Sequence, residues 1–161
     1  MSTSGGGAGI RAPIIEVRSA PARDELDPSE IERFSFNHET GQPNIAEGIG
    51  IARADVALEG EVRLPDLNDL GVDFYIDDVP ISLKGPLING KSGADLVVTD
   101  NMIDGLVKAV LKDVRINTAT NTIVIDTLNM SSAQRSSLRS AVEEGLRKLD
   151  NCSTKTLIFL E

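Results

Sequence analysis

Cysteine and histidine are almost absent from this chain, which contains one of each, Cys152 and His38. A single cysteine excludes an intramolecular disulfide and is compatible with a reducing compartment. A single histidine excludes metal sites built from several histidines and mechanisms that need two of them. A nucleophilic pair of Cys152 with His38 is arithmetically possible, but no local motif supports it.

Aromatic residues and long apolar runs are also scarce. Aromatics make up 3% of the chain, so the core must be built mainly from Val, Ile, Leu and Ala. No apolar run approaches the roughly 20 residues of a membrane-spanning helix, and no secretory signal pattern is visible, so we expect a soluble protein. With 161 residues, 40% hydrophobic and 25% charged, the chain has the composition of one globular domain.

Positive charge is in short supply as well. The chain has 16 Lys and Arg against 25 Asp and Glu, a net charge of −9. This counts against an extended, nonspecific nucleic-acid surface, because affinity for phosphates comes largely from Lys and Arg. A small basic groove on an acidic body stays compatible with the charge, and so does an interaction domain that binds a basic partner.

Composition divides the chain into a loose N-terminal stretch and one folded domain. Residues 1–26 are rich in Ser and Gly and then mix Pro, Ala and charge. We expect a flexible arm there, with at most one short extended piece at 13–17. Asp27 and Pro28 form a helix start, an N-cap followed by proline at the first helical position. The folded domain is therefore predicted to span 27–161.

Hydrophobic periodicity and capping residues predict the elements that follow. Apolar residues at helical spacing behind the caps Asn44, Thr99 and Ser131 indicate three helices. Alternation or short apolar runs indicate strands. The predicted order is a helix from 44 to the stop at Gly60, a strand at 61–64, a hairpin at 71–86, a short strand at 96–98, a helix at 99–113, an extended piece at 114–117, a strand at 122–128, a helix at 131–149 and a strand at 155–160.

The hairpin is the most informative stretch, with the sequence GVDFYIDDVPISLKGP at residues 71–86. Apolar and polar residues alternate on both sides of a central Asp77-Asp78, which is typical of two strands with one buried face. Aspartate tolerates the left-handed backbone angles of a two-residue turn. That turn sets the register and predicts that Phe74 lies opposite Ile81.

The other face of the hairpin carries an acid, a hydroxyl and an amine within reach of one another, because the same register sets Asp73 opposite Ser82, with Lys84 on the neighbouring diagonal. Asp73 followed by Ser82-Leu83-Lys84 resembles the PD-(D/E)XK nuclease pattern, an acid on one strand and acid-x-Lys on the next. The position of the family's second acid is occupied here by Ser82. With the helix at 99–113 taken as an insertion after the hairpin, the predicted order α-β-β-β-α-β is that family's core, an α/β (α+β) fold. The resemblance covers roughly residues 44–161.

The resemblance implies a metal-dependent endonuclease. Such enzymes hold Mg²⁺ or another divalent metal by carboxylates, and the metal polarises the phosphoryl oxygen and generates hydroxide. Matched to the family, Asp73 and Glu47 would hold the metal, and Lys84 would position the water or balance charge in the transition state. Ser82 completes the matched catalytic set but supplies no charge.

Two further acids remain candidates for the carboxylates of the metal site. Glu61 is a second candidate for the upstream acid, and Asp78 or Glu47 could supply the charge that is missing at Ser82. Structural interpretations stand beside all of these assignments: Glu47 occupies a helix-capping position and Asp78 a turn. Asp73 could also form an exposed cross-strand pair with the lysine, worth less than about 1 kcal/mol.

Arg135 and Arg139 lie one turn apart on the last predicted helix, off its leucine stripe. Residues 131–149 sum to +2, from four basic and two acidic side chains. The two arginines are therefore candidates for phosphate binding, although an ordinary solvated helix face has the same pattern.

A loose arm followed by a compact nuclease-like domain further resembles the C-terminal toxin modules of bacterial contact-dependent inhibition systems. That resemblance implies attack on tRNA or DNA in the reducing cytoplasm of a neighbouring cell after delivery, and a cognate immunity protein as partner. The alternative, which the serine at position 82 and the net charge favour, is a non-catalytic acidic interaction domain on a nuclease-like fold, either an immunity protein or an assembly adaptor.

Overall fold

The computed structural model describes residues 13–36, 41–149 and 155–161, so the predictions about His38 and Cys152 lie outside the described residues. These residues form four α-helices, six strands and one short 3₁₀ turn at Arg23–Glu25. The helices and strands, in chain order, are β1 Ile14–Arg18, α1 Pro28–Phe34, α2 Ile45–Leu58, β2 Val62–Arg63, β3 Phe74–Ile76, β4 Val79–Lys84, α3 Asp100–Ile116, β5 Thr122–Asp126, α4 Ser132–Arg147 and β6 Thr156–Leu160.

The strands form one mixed sheet in the order β1-β6-β5-β4-β3-β2. Strands β4, β5, β6 and β1 are parallel to one another, whereas β3 and β2 continue the sheet in antiparallel fashion. Parallel neighbours need a crossover connection, and α3 supplies it between β4 and β5 as α4 does between β5 and β6. The prediction that the helix at 99–113 is an insertion is therefore wrong, and the mixed α/β class is confirmed.

Helices cover both faces of the sheet, which gives three layers. Alternate residues of β5 divide between two cores: Val124 packs with α1 and α2, while Ile123 and Ile125 pack with α3 and α4. The innermost residues of the two cores are fully buried, as expected for strands that are covered on both sides. They include Ile49, Ile51, Phe74 and Leu160 on the first face and Val110, Leu138, Val142, Leu157 and Phe159 on the second.

Each helix begins at the polar residue that the sequence predicts. The side chain of Asp27 accepts a hydrogen bond from the first turn of α1, and those of Asn44 and Thr99 do the same for α2 and α3. In α4, Ser131 and Gln134 bond each other's backbone N–H at 3.1 and 2.9 Å, a complete capping box. These bonds satisfy donors that a helix leaves unpaired at its start.

The hairpin register is also confirmed. Phe74 pairs with Ile81, and the turn residues Asp77 and Asp78 have positive φ values of 49° and 66°. Both central residues of this turn are left-handed, which matches the twist of the flanking strands.

The N-terminal stretch differs from the prediction of a flexible arm at 1–26, insofar as the structure describes it. The extended piece expected at 13–17 is strand β1, paired along its whole length with β6, from Ile14 opposite Thr156 to Arg18 opposite Leu160. An edge strand needs only one partner, and here that partner lies about 140 residues away in sequence. Local composition carries no information on such a pairing.

Two short extended pieces were predicted wrongly. Residues 96–98 form no strand, and Val97 is 88% exposed. Residues 114–116 continue α3 as a helix, because Val114 adds to the stripe that packs on the sheet, where it is buried.

Candidate active site

Helix α2 runs antiparallel to β4, which places its first turn at the carboxyl end of that strand. A side chain at Gly50 would lie 2.8 Å from Leu83 near the end of β4, and one at Gly60, just beyond the helix, would lie 2.9 Å from Asp77 in the hairpin turn. Glu47 lies in the first turn of the helix, three residues before Gly50. The structure therefore places the helix turn that contains Glu47 near the carboxyl end of β4.

Asp73 lies against the backbone of β4, beyond the last regular pair of the hairpin. Its N–H donates to the carbonyl of Ile81 at 2.9 Å, and its Oδ2 accepts from the N–H of Leu83 at 2.6 Å. The carboxylate thus occupies the place that a strand carbonyl would take in a continued ladder. Asp73 therefore does not form a regular pair opposite Ser82, as the register predicted. Its carboxylate bonds instead to the residue before Lys84.

Lys84, the last residue of β4, reaches α3 rather than open solvent. Its Nζ lies 3.4 Å from Oδ1 of Asp113, and the two side chains are 26% and 8% exposed. Asn117 donates from Nδ2 to the same Oδ1 at 3.1 Å and to the carbonyl of Gly71 at 2.9 Å. The interpretation of Lys84 as part of an exposed surface pair therefore does not describe its environment.

Asp113 was not recognised from the sequence as part of the site, although a signal was available. Leu106, Val110, Asp113 and Asn117 recur at helical spacing, so that two polar residues continue an apolar stripe. A carboxylate on the buried face of a helix needs a partner. The sequence did not show that this partner is Lys84.

Ser82 and the two additional acids differ in their relation to this site. Ser82 lies in β4, where it is buried, and its neutral hydroxyl contributes no charge. Glu61 and Asp78 lie at the hairpin turn, where Glu61 N–H bonds to the turn residue Asp77 and Asp78 lies beside Arg63. The turn is separated from the end of β4 by roughly 17 Å at the usual rise per strand residue. Neither acid is placed to replace the charge that is missing at Ser82.

No group of three or more Asp, Glu, His or Cys side chains that could hold a metal ion exists within 13–36, 41–149 and 155–161. A magnesium ion that retains several waters needs only one or two carboxylates. Asp73 and Glu47 are two carboxylates in segments at the carboxyl end of β4, the number that such an ion needs. The chemistry of these residues therefore fits a hydrated, hard divalent cation.

A buried ion pair lies at the end of the neighbouring strand β5. Arg53 of α2 pairs with Asp126, and its Nε donates to the carbonyl of Pro21 at 2.9 Å. Burial raises the pKa of Asp126 to about 6 although the Arg53 guanidinium acts in the opposite direction, and burial lowers the pKa of Arg53. The sequence offered two hints, an arginine flanked by Ala52 and Ala54 and an acid closing an apolar strand.

The two arginines predicted to bind phosphate lie at the carboxyl end of the parallel strands, and both make internal contacts. Arg135 donates from Nε to Oγ1 of Thr127 at 2.9 Å, directly after β5. Arg139 lies 2.8 Å from the carboxylate of Glu161, directly after β6. Both side chains are half-buried. Their positions at the carboxyl ends of parallel strands are those where ligands of open α/β sheets usually bind.

Comparison of the chain with family models, with curated proteins and with solved structures finds no match in any of the three. No helix of the described residues is long and apolar enough to cross a membrane. The interpretation of the site therefore depends on its own geometry and chemistry.

Proposed function

We propose that this chain is a metal-dependent nuclease that hydrolyses phosphodiester bonds of tRNA or DNA, with a PD-(D/E)XK-like catalytic set. One observation carries the proposal: the carboxylate of Asp73 bonds to the N–H of Leu83, the residue before Lys84, and the helix turn that contains Glu47 lies at the same end of β4. A lysine and two acids at one end of a strand are the residue types that cleavage of a phosphodiester requires.

Asp73 and Glu47 would hold the divalent cation, Mg²⁺ by preference. When bound, the ion supplies a polarised phosphoryl oxygen and a water of lowered pKa. Lys84 would supply the positive charge that offsets the negative charge developing on the phosphate oxygens. Ser82 adds no charge, so the proposal rests on a two-carboxylate site.

Arg135 and Arg139 would contact the phosphate backbone of the substrate next to the reacting group. With a net charge of −9, binding depends on such local cations rather than on the whole surface. We further propose that the domain is a toxin module of a contact-dependent inhibition system, which acts in the cytoplasm of a neighbouring cell. Its immunity protein would then bind tightly over the end of β4.

The test is incubation of the purified protein with total tRNA and with plasmid DNA, each with magnesium or with EDTA. We expect cleavage of one substrate in magnesium and none in EDTA. Asp73→Asn and Lys84→Met should each lower the rate at least about 100-fold, as the loss of a charge-stabilising group does. Asp104→Asn and Lys108→Met, which change exposed residues of α3, are the matched controls.

The acidic interaction domain remains the second candidate function, favoured by the uncharged Ser82 and by the pairing of Lys84 with Asp113. On that interpretation the ion pair is structural. Folded wild-type protein would then leave tRNA and DNA intact in magnesium and in manganese. Lys84→Met would lower the melting temperature without any change in nucleic-acid integrity.

A further inference from the structure

Asp113 occupies a position where an apolar side chain would be the simpler choice. It follows Val110 and precedes Val114 in the stripe that packs against the sheet, and it is itself 8% exposed. Its Oδ2 is buried and has no hydrogen-bond partner among the described residues. Transferring a carboxylate to such a place is costly, and a buried ion pair is frequently no more stabilising than apolar residues of similar volume. Stability alone therefore gives a weak reason for an acid here.

Asp113 forms an ion pair with Lys84. A lysine side chain has four rotatable bonds and loses about 2 kcal/mol of rotamer entropy when it is fixed. The ion pair to Asp113 holds the ammonium at one point while about a quarter of the lysine side chain stays open to solvent. A cation held in this way can meet a phosphate oxygen without reorganising.

Asn117 connects this pair to the segment that contains Asp73. Its Nδ2 bonds to both Asp113 and the carbonyl of Gly71, two residues before Asp73. The backbone carbonyl of Asn117 in turn accepts from the buried ammonium of Lys155 at 2.5 Å. A continuous series of bonds through the end of α3 thus links Lys84 to the segment that contains Asp73.

We propose that Asp113 is the positioning residue of Lys84, acting with Asn117 to hold the lysine in place for phosphodiester cleavage. This inference rests on the proposed nuclease function. Asp113 touches neither metal nor substrate in this assignment. Its effect on the reaction passes mainly through Lys84, which gives it a testable signature.

The first experiment measures cleavage by wild type, Asp113→Asn, Lys84→Met and the double variant, with Asp104→Asn as the control on the same helix. We expect Asp113→Asn to lower kcat about 10- to 100-fold, the usual effect of losing a supporting partner, with KM changed less than about twofold. In the Lys84→Met background the same change should lower kcat less than about twofold, because the group that it positions is gone.

The second experiment does not need activity. We expect ¹³C relaxation at Cε of Lys84 to show a restrained side chain in the wild type and, in Asp113→Asn, the mobility of the exposed Lys108. Asn117→Ser, which removes the Nδ2 donor, should give an intermediate result and serves if Asp113→Asn does not fold.

The outcomes separate the two proposals. Wild type that cleaves no nucleic acid overturns both the nuclease function and this role. An active wild type with Asp113→Asn equal to Asp104→Asn overturns the positioning role alone. So does an equal loss of kcat in the presence and absence of Lys84, or a Cε of Lys84 that is already as mobile as that of Lys108 in the wild type.

Discussion

Arg53 on α2 and Asp126 at the end of β5 form an ion pair in which neither side chain is more than 2% exposed. The pair joins the helix layer on one face of the sheet to the carboxyl end of a central strand. The N–H of Leu128 also donates to Asp126 at 3.0 Å, while the second oxygen of this carboxylate is buried and unbonded within the described chain. The contribution of Asp126 to the stability of the fold should therefore depend on both the presence of Arg53 and the protonation of the carboxyl group.

Replacement of Arg53 by Met should destabilise the fold by about 3–5 kcal/mol at pH 8, because it leaves a buried carboxylate without its counter-charge. Urea denaturation followed by circular dichroism measures the loss. Arg33→Met, which removes an arginine from an exposed pair with Glu30, is the control and should change stability little. A loss no larger than that of the control would show that Asp126 is already neutral at this pH.

The stability of the wild type should depend on pH through Asp126. Its pKa of about 6 lies above the ordinary value of 3.8, so the folded state binds the proton more tightly than the unfolded state. The resulting contribution to stability is fully present below about pH 4 and is lost as pH rises through about 6. The free energy of unfolding of wild type relative to Asp126→Asn should therefore increase as pH falls from 7 to 4. A flat difference over this range would contradict the assignment.

In Arg53→Met the pKa of Asp126 should rise further, since the guanidinium acts to lower it. The variant should consequently recover part of its lost stability between pH 8 and pH 5, as the carboxyl becomes neutral. Unfolding curves at the two pH values, with Arg33→Met beside them, measure the recovery. Equal destabilisation at both would mean that the loss of the guanidinium leaves the protonation of Asp126 unchanged over this range.

Two glycines inside helices should respond to alanine with opposite signs. An added Cβ at Gly50 would lie 2.8 Å from Leu83 and 3.0 Å from Pro86, whereas at Gly105 it would meet nothing within 4 Å. We expect Gly105→Ala to stabilise by about 1 kcal/mol through helix propensity. Gly50→Ala should destabilise by about 1–3 kcal/mol, because α2 would have to move away from β4. Thermal unfolding of the two variants gives the comparison.

Metal binding should depend on the two acids at the end of β4. Mn²⁺, followed by electron paramagnetic resonance, should bind the wild type and bind Asp73→Asn or Glu47→Gln at least about tenfold more weakly, since each change removes an oxygen donor with its charge. Asp104→Asn should leave the affinity unchanged. Equal binding by all four proteins would place the ion elsewhere on this acidic surface.

Much of the local structure could be predicted because the interactions that define it span few residues. A helix cap such as Ser131 acts on a backbone donor three residues away, and the turn at Asp77 and Asp78 sets its own register. Of the candidate site, the approach of Asp73 to the end of β4 followed from that turn. The prediction for residues 114–116 failed because tertiary packing of Val114 extended α3 beyond its local signal.

The sequence by itself determined the hairpin, the caps and most helix bounds, since these depend on periodicity and on neighbours within one turn. Only the tertiary structure decided the pairing of β1 with β6, the crossover role of α3 and the partners of Lys84 and Arg53. The residues of each such pair are separated by 29 to about 140 positions. The packing of helices on the sheet selects these partners from many acids of equal chemistry, and no local pattern in the chain distinguishes them.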